Sequence, residues 1–298
     1  MADKNPIVFH LMAIFVVAVW GTTFIASKVL LENGLTPADI FFYRFLLAYI
    51  CILAINHQQV MANNWTDELY LAMTGVFGGS LYFLFENTAL QWAQASDVSI
   101  LVSASPIFTS IVLAIFYKSE RISLRQTLGM IIAFIGMIFI VLNGQFILHV
   151  SVWGYLLAIA SAGTWAMYNL FMKKVMSKYS SQFISRKVFF YGLLSILPYY
   201  GFVSPLQFEL NILSQTAVWG YLLFLGLLAS MYCYVLWNTA MANIGAVKTT
   251  VYLYMAPLFT MITAYIILGE RITWMAVMGT VILLTGMVMA EKKSKKGE

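Results

Sequence analysis

Charged residues are scarce in this 298-residue chain, because only 10% of its residues are Asp, Glu, Lys or Arg. A soluble domain carries roughly 25% charged residues and about 45–50% apolar ones. Here 61% of the residues are hydrophobic and the mean hydropathy is +0.84. This number of charged residues is too small to form a water-exposed surface around an apolar core. Most of the protein surface must therefore face lipid. The composition therefore predicts an integral membrane protein whose main environment is the lipid bilayer.

Patterns of catalytic or metal-binding residues are missing as well. Cys51 and Cys233 lie in separate apolar stretches and predict neither a disulfide framework nor a zinc site. A paired-aspartate intramembrane protease is excluded, because every aspartate lies at the end of a span or in a loop. The four aspartates are Asp3, Asp39, Asp67 and Asp97. His-Glu-x-x-His and Walker A sequences are absent, so we expect no metal, no cofactor and no ATP hydrolysis. These absences argue against an enzyme.

Long apolar runs are what the chain has instead. A helix needs about 20 apolar residues to cross the hydrocarbon core of a bilayer. Scanning at that length predicts ten transmembrane helices, with cores at 8–28, 38–56, 69–92, 97–117, 124–142, 152–172, 187–203, 216–237, 247–268 and 273–290. The first run is interpreted as a span rather than a signal peptide, because no small-residue cleavage site ends it. The predicted fold class is an all-α membrane protein.

The basic residues predict the orientation of these spans. If the N-terminus is cytoplasmic, all but three of the 17 Lys and Arg residues fall on the inner side; the exceptions are Lys28, Arg44 and Arg271. This asymmetry predicts that both termini are cytoplasmic, in a bacterial inner membrane or a plasma membrane. The net charge of +5 does not indicate nucleic-acid binding, because the basic residues flank apolar spans.

The chain also contains an internal repeat. Asn87-Thr88-Ala89-Leu90 recurs 151 residues later as Asn238-Thr239-Ala240-Met241, and Pro106-Ile107-Phe108-Thr109 recurs as Pro257-Leu258-Phe259-Thr260. The first spans align at an offset of 145, which pairs Trp20 with Trp165. We therefore predict a repeat at 1–145, a second at 152–290 and a basic cytoplasmic tail at 291–298. Each repeat has five spans, an odd number, so the second copy is predicted to be inverted, as in secondary transporters.

These features resemble the EamA-type family of the drug/metabolite transporter superfamily. The resemblance rests on Trp20-Gly21, Ala89-Leu90, Pro106 and the segment Gly269-Glu270-Arg271-Ile272-Thr273 with Gly279 and Gly286, in this order and in duplicate. The first half departs from the pattern, because it has Lys118-Ser119-Glu120 where the second has Gly269-Glu270. The resemblance implies a carrier for amino acids or other small metabolites, and it does not name the substrate.

Positions on one face of the spans give the candidate site. Aromatic, hydroxyl and amide side chains at helical spacing suit a cavity for a small amphipathic solute; the candidates are Trp20, Tyr82, Glu86, Asn87, Ser103, Trp165, Tyr168, Asn169, Trp237, Asn238 and Tyr254. Other roles stay open, namely interhelical hydrogen bonds for Asn87 and Asn238 and interfacial packing for the aromatics. Pro106 and Pro257 lie inside their spans and are predicted to kink them, either statically or as hinges.

Glu86 is the only carboxylate inside a predicted span core. A charge at membrane depth costs about 2.5–3.5 kcal/mol, so the side chain should face the protein interior or a wet cavity. Its counterpart in the second half is Trp237, so the shared fold does not require an acid there. Glu86 is therefore a candidate for proton coupling or for binding a substrate ammonium. The alternative is a fixed hydrogen bond or an ion pair with Arg44 or Lys28.

The sequence therefore predicts a secondary active transporter that moves a small-molecule substrate by alternating access. An exported amino acid or similar amphipathic solute is the first choice. An uptake permease for another metabolite or drug is the alternative within this class. A non-transporting scaffold or receptor is the alternative outside it, although neither needs an inverted repeat. A monomer is compatible with the sequence, and an oligomer stays open.

Overall fold

The computed structural model describes residues 6–93, 95–117, 122–142, 152–206, 210–213, 215–268 and 273–291. All regular structure within these ranges is helical, and they contain no strand. The prediction of an all-α membrane protein is therefore confirmed. The segments Lys118–Glu120 and Gly269–Ile272, which contribute to the family resemblance, lie outside the described residues, as does the basic tail at 292–298.

The helices of the first half follow the predicted spans closely. They are α1 (Pro6–Glu32), α2 (Pro37–Ile55), α3 (Trp65–Trp92), α4 (Ala95–Val102), α5 (Ser105–Phe116) and α6 (Leu124–Leu142). The start of α2 is encoded locally, because Thr36 caps it, Pro37 occupies its first turn and Asp39 completes a capping box. The end of α1 is encoded by Gly34, whose φ of 98° is readily adopted only by glycine.

The second half is divided in a similar way. Its helices are α7 (Val152–Val175), α8 (Ser181–Phe202), the short α9 (Leu210–Leu213), α10 (Thr216–Ile244), α11 (Ala246–Val251), α12 (Ala256–Leu268) and α13 (Trp274–Glu291). A 3₁₀ turn at Tyr252–Met255 connects α11 to α12. Gly245, with a φ of 89°, separates α10 from α11.

Length and apolar composition identify five helical segments of the described chain as able to cross a membrane: Pro6–Glu32, Pro37–Ile55, Trp65–Trp92, Asp97–Phe116 and Thr216–Ile244. Leu124–Phe139 and Val277–Ala290 are shorter apolar helices. Helices α7 and α8 are long but carry Lys and Arg residues. The length and apolar composition of these helices indicate an integral membrane protein.

Three basic residues that the charge count uses as flanking charges are buried inside helices. Helix α8 begins at Ser181, not at the predicted 187, so Arg186 and Lys187 are helical and buried. Arg44, counted on the outer side, lies inside α2 and is buried. The count failed for these residues because it treats every cation as solvent-exposed, whereas each of them has polar partners on another segment of the chain.

Both halves contain distorted helices at matching positions. Helix α3 has a π-helical stretch at Val76–Ser80, and α10 has one at Phe224–Tyr232. The helix containing Pro106 is interrupted between α4 and α5, and Pro257 follows the 3₁₀ turn before α12. π-helical stretches are frequent at functional sites. These irregular segments surround the centre of the bundle.

Glycines bring α6 and α13 into close contact. A Cβ on Gly129 would lie 2.8 Å from the carbonyl oxygen of Gly286, and one on Gly136 would lie 2.7 Å from that of Gly279. The two helices therefore run antiparallel with their backbones nearly touching. This is the role expected of small residues in a membrane helix interface, where tight packing replaces the hydrophobic effect.

Candidate functional site

A narrow cavity of about 40 Å³ lies where α1, α2, α3, α7 and α10 meet the interrupted helices. Six of its fourteen lining residues are aromatic, and neighbouring rings contact each other edge to face or at a tilt. Trp165 lies 5.4 Å from Trp20 and 5.0 Å from Tyr82, measured between ring centroids. The full lining is Trp20, Thr23, Phe24, Arg44, Tyr82, Phe83, Glu86, Val102, Ser103, Ser105, Trp165, Tyr234, Leu253 and Ala256. A space of this size admits water but no metabolite.

Glu86 contributes a carboxyl group to this cavity. The residue lies in α3 and is only 2% exposed. The Tyr82 hydroxyl, one helical turn earlier, and the guanidinium of Arg44 are near enough to interact with it. The placement agrees with the expectation that an acid at this depth turns towards the protein interior or a wet cavity.

Arg44 contributes the opposite charge, and the sequence analysis missed it as a site residue. It is 1% exposed and borders the same cavity. Its Nε donates a hydrogen bond of 2.9 Å to Ser230 Oγ on α10, and its guanidinium lies 4.2 Å from the ring centroid of Phe83. Its Nη1 atom is buried and has no hydrogen-bond partner among the described residues. An arginine within a predicted span core was the signal that could have identified it.

Five of the predicted site residues meet at the cavity. They are Trp20, Tyr82, Glu86, Ser103 and Trp165. They come from both halves of the chain, since Trp20, Tyr82, Glu86 and Ser103 precede residue 145 and Trp165 follows it. The two tryptophans that the repeat aligns, Trp20 and Trp165, thus lie against each other in the lining.

The other predicted residues are buried but do not line the cavity. Asn87 donates a 3.2 Å hydrogen bond to the carbonyl oxygen of Pro37 at the start of α2. The Tyr168 hydroxyl donates to Asn238 Oδ1 over 2.5 Å. Asn169 Nδ2 donates to Thr109 Oγ1 over 3.1 Å. Within the described chain these side chains join helices to one another, which is the alternative role considered above for Asn87 and Asn238.

Trp237 and Tyr254 are buried next to the cavity region. Trp237 packs on Trp20 with ring centroids 5.0 Å apart. Neither the indole Nε1 of Trp237 nor the hydroxyl of Tyr254 has a hydrogen-bond partner among the described residues. Trp237 therefore packs behind the cavity wall: it contacts the lining residue Trp20 but does not border the cavity.

Comparison with known proteins now decides the family. Residues 8–142 and 152–291 each match the EamA-like transporter family. The chain belongs to this family. A relative described as an uncharacterized transporter, from Archaeoglobus fulgidus, is 28% identical over 95% of this chain and 97% of its own length. A probable amino-acid metabolite efflux pump from Escherichia coli is 27% identical over 93% of this chain and 92% of its own.

The fold also resembles a solved crystal structure. That protein superposes with a TM-score of 0.73 over 95% of this chain and 97% of its own, with 16% sequence identity. At this identity the likeness concerns the fold alone. The family match and the named relatives, by contrast, identify this EamA-like chain as a transporter.

A second set of polar residues in this EamA-like protein lies at the start of α3, away from the cavity. Lys187 on α8 forms an ion pair with Glu68, and the Tyr191 hydroxyl donates to the same carboxylate oxygen. Lys178 pairs with Asp67 over 2.6 Å, and this carboxylate raises the pKa of the exposed Lys178 ammonium. We call Asp67, Glu68, Lys178, Tyr179, Lys187 and Tyr191 the α3 ion-pair cluster. It ties the start of α3 to α8 and to the α7–α8 connection.

Tyr234 is a further residue that the sequence analysis missed. It lies on α10, borders the cavity and donates a 2.5 Å hydrogen bond to the carbonyl oxygen of Gly78. Gly78 belongs to the π-helical stretch of α3, whose hydrogen bonds join residues five positions apart instead of four. Tyr234 therefore connects the distorted parts of the two halves. Among the described residues no cluster of His, Cys, Asp and Glu could hold a metal ion.

Proposed function

We propose that this chain is a secondary active transporter that exports a small amphipathic metabolite, with an amino acid as the first choice, by alternating access. The observation that carries the proposal is the small cavity lined by aromatic rings and bordered by Glu86 and Arg44, built from both halves of the chain. Its aromatic walls suit the apolar body of a solute, and its two charged groups suit polar ends. The name of the Escherichia coli relative supports the amino-acid class and the outward direction.

Alternating access is supported by contacts that recur with the halves exchanged. Gly129 meets Gly286, and Gly136 meets Gly279; the repeat aligns Gly129 with Gly279 and Gly136 with Gly286. Such reciprocal contacts are those of a two-fold axis between the halves. An axis of this kind in the membrane plane is the basis of inverted-repeat transporters. We therefore propose repeats at 1–145 and 152–290, with five spans each.

Contacts elsewhere follow the same rule. A Cβ on Gly75 would lie 2.9 Å from Gly192 N, and one on its counterpart Gly226 would lie 2.8 Å from the Cβ of Leu47, the counterpart of Gly192. The π-helical stretches of α3 and α10 are likewise counterparts. Two copies in equivalent surroundings can exchange conformations, so that the cavity opens first to one side and then to the other. A single chain supplies both copies, so we propose that a monomer is sufficient.

The two ends of the bundle are closed differently. The α3 ion-pair cluster holds the end at which α3 begins, which we place on the cytoplasmic side from the charge asymmetry. Around the start of α10 the contacts are apolar and include Leu35, Ile40, Val218 and Leu222. Opening to the cytoplasm would therefore separate ion pairs, whereas opening to the outside would separate apolar side chains and the 3.3 Å hydrogen bond from the Tyr200 hydroxyl to Asp39.

Transport by purified protein in liposomes tests this function. Radiolabelled amino acids, sugars and cationic drugs would be measured with and without a pH gradient, against liposomes without protein. We expect saturable transport of amino acids that responds to the gradient, because Glu86 offers a proton-binding group within the cavity. Strong transport of sugars or drugs, with none of amino acids, would contradict the proposed solute class. Absence of transport for every class would contradict the proposal of a carrier.

A further inference from the structure

Arg44 presents a buried positive charge with an unsatisfied donor. Its Nη1 has no hydrogen-bond partner among the described residues, although the residue is 1% exposed. Leaving one donor of a buried charged group unsatisfied costs free energy, and an acceptor that reaches Nη1 would recover it. The guanidinium borders the cavity, so that is where a partner would enter.

The guanidinium is held in a fixed position before any solute arrives. Ser230 accepts its Nε hydrogen bond at 2.9 Å, and the ring of Phe83 lies 4.2 Å below it. These two contacts come from α10 and α3, so the position of the group depends on both halves of the chain. A donor that is already oriented loses little conformational entropy on binding.

Arg44 is not required by the shared fold. The offset that aligns Trp20 with Trp165 aligns Arg44 with Phe189, just as Glu86 is aligned with Trp237. The second half therefore has an aromatic residue at each of these two aligned positions, and the charges occur in the first half alone. Charged residues that occur in one copy alone serve recognition or coupling better than they serve packing.

The charges of Arg44 and Glu86 determine which polar groups of a solute can bind beside them. Guanidinium groups bind carboxylates and phosphates in a two-point fashion. Glu86 lies near Arg44 and is acidic, so a doubly charged phosphate would be repelled where a carboxylate with an ammonium group would be accepted. We propose that Arg44 binds the carboxylate of the transported solute and makes the site specific for compounds that carry one. This rests on the proposed function and names its substrate class.

Ligands that differ only in their charged groups test this role. Phenylalanine, its methyl ester and N-acetylphenylalanine would be added to the detergent-purified full-length protein, and the shift in its melting temperature would give each affinity. The ester lacks the carboxylate, and the acetyl compound lacks the ammonium. We expect the ester to bind roughly tenfold or more weakly than the acid, since hydrogen bonds between charged groups contribute about 1.5–3 kcal/mol.

Variants assign this preference to Arg44. Arg44→Gln should bind the acid and the ester with affinities within about twofold of each other, because the group that distinguishes them is gone. Ser230→Ala keeps the charge of Arg44 but removes the hydrogen bond that holds its guanidinium in place. This variant should therefore lose part of the preference for the acid over the ester. Arg125→Gln, at an exposed position of α6, is the matched control and should keep the wild-type preference.

The outcomes separate this proposal from the transport function. Equal binding of acid and ester to the wild-type protein would overturn the role of Arg44, and this result needs no variant to fold. Transport of amines or neutral solutes with no carboxylate would overturn it while leaving the carrier function intact. Binding of the acid over the ester without transport of either would keep the role of Arg44 and overturn the carrier. Failure of both binding and transport would overturn both.

Discussion

Lys187 on α8 forms an ion pair with Glu68 on α3, and both side chains are almost fully buried. The Glu68 carboxylate also accepts a hydrogen bond from the Tyr191 hydroxyl and one of 2.6 Å from the backbone N–H of Ala62. The acid thus has partners on α8 and in the connection before α3. If Lys187 and Glu68 were separated, each would become a buried charge without a counter-ion.

Removal of one partner should destabilise the protein more than removal of both. Lys187→Met leaves the Glu68 carboxylate buried without its counter-ion. We expect the free energy of unfolding to fall by about 2–3 kcal/mol, less than for a fully buried pair because Glu68 lies near the start of α3. Glu68→Met combined with Lys187→Met should recover much of the loss. Thermal unfolding in detergent measures both.

The neighbouring ion pair provides the control for this prediction. Lys178 pairs with Asp67, but its side chain is half exposed. Lys178→Met should therefore lower the melting temperature less than Lys187→Met, because water screens the Lys178 end of the pair and the buried Asp67 carboxylate keeps its hydrogen bonds from Tyr179 and Asn64. A large loss of stability for Lys178→Met, or a double variant less stable than Lys187→Met, would contradict the account of the α3 ion-pair cluster.

The contact between α6 and α13 should not tolerate a methyl group at Gly286. A Cβ there would lie 2.2 Å from Ala133 N and 2.7 Å from the carbonyl oxygen of Gly129, and neither backbone atom can move aside. Gly286→Ala should force the helices apart and cost about 1–3 kcal/mol. Gly163→Ala on α7 is the control, because a Cβ there has nothing within 4 Å. It should be neutral or stabilising, since alanine favours helices over glycine by about 1 kcal/mol.

The sequence was sufficient to predict the helices and some of their contacts. Membrane helices need long apolar runs, so the local amino-acid composition predicts their positions. The glycines of α6 and of α13 are seven positions apart in each helix, which places them on one face, and the structure brings these faces together. The interruptions near Pro106 and Pro257 follow from the missing N–H of proline.

The polar part of the site was harder to predict, because it depends on contacts that are distant in sequence. Arg44 and its partner Ser230 are 186 positions apart, and Glu68 and Lys187 are 119 apart. A count of basic residues uses these cations only to orient the spans and does not test whether they are buried. Glu86 was identified because an acid within an apolar run is conspicuous by itself. Its neighbour Arg44 was counted with the outer charges, although it lies inside the predicted core at 38–56.

The orientation of the chain is open to direct measurement. Single cysteines would be introduced at Gln58, between α2 and α3, and at Gln215, before α10, in a protein with Cys51→Ser and Cys233→Ala. An impermeant maleimide added to intact cells should label Gln215→Cys alone. Gln58→Cys should react only after the membrane is opened. Labelling of both positions from outside would contradict the arrangement with cytoplasmic termini.

The carboxyl group of Glu86 should make transport depend on pH. Glu86→Gln keeps the size of the side chain and its capacity to hydrogen-bond, but it cannot bind or release a proton. We expect the variant to fold, because it removes a buried charge, and to lose either transport or the response of transport to pH. Rates in liposomes across a range of pH, with the melting temperature of the same preparation, give both quantities.

Two further variants make the result on Glu86 specific. Glu32→Gln removes an acid from the exposed end of α1 and should leave the pH profile unchanged. Tyr82→Phe keeps the aromatic wall but removes the hydroxyl that interacts with the Glu86 carboxyl group, so it should shift the pH profile without abolishing it. If Glu86→Gln inserts normally and transports with the wild-type pH profile, then the carboxyl group is structural. In that case Arg44 would be the charged residue of the cavity that acts on the solute, and the protons for coupling would have to bind elsewhere.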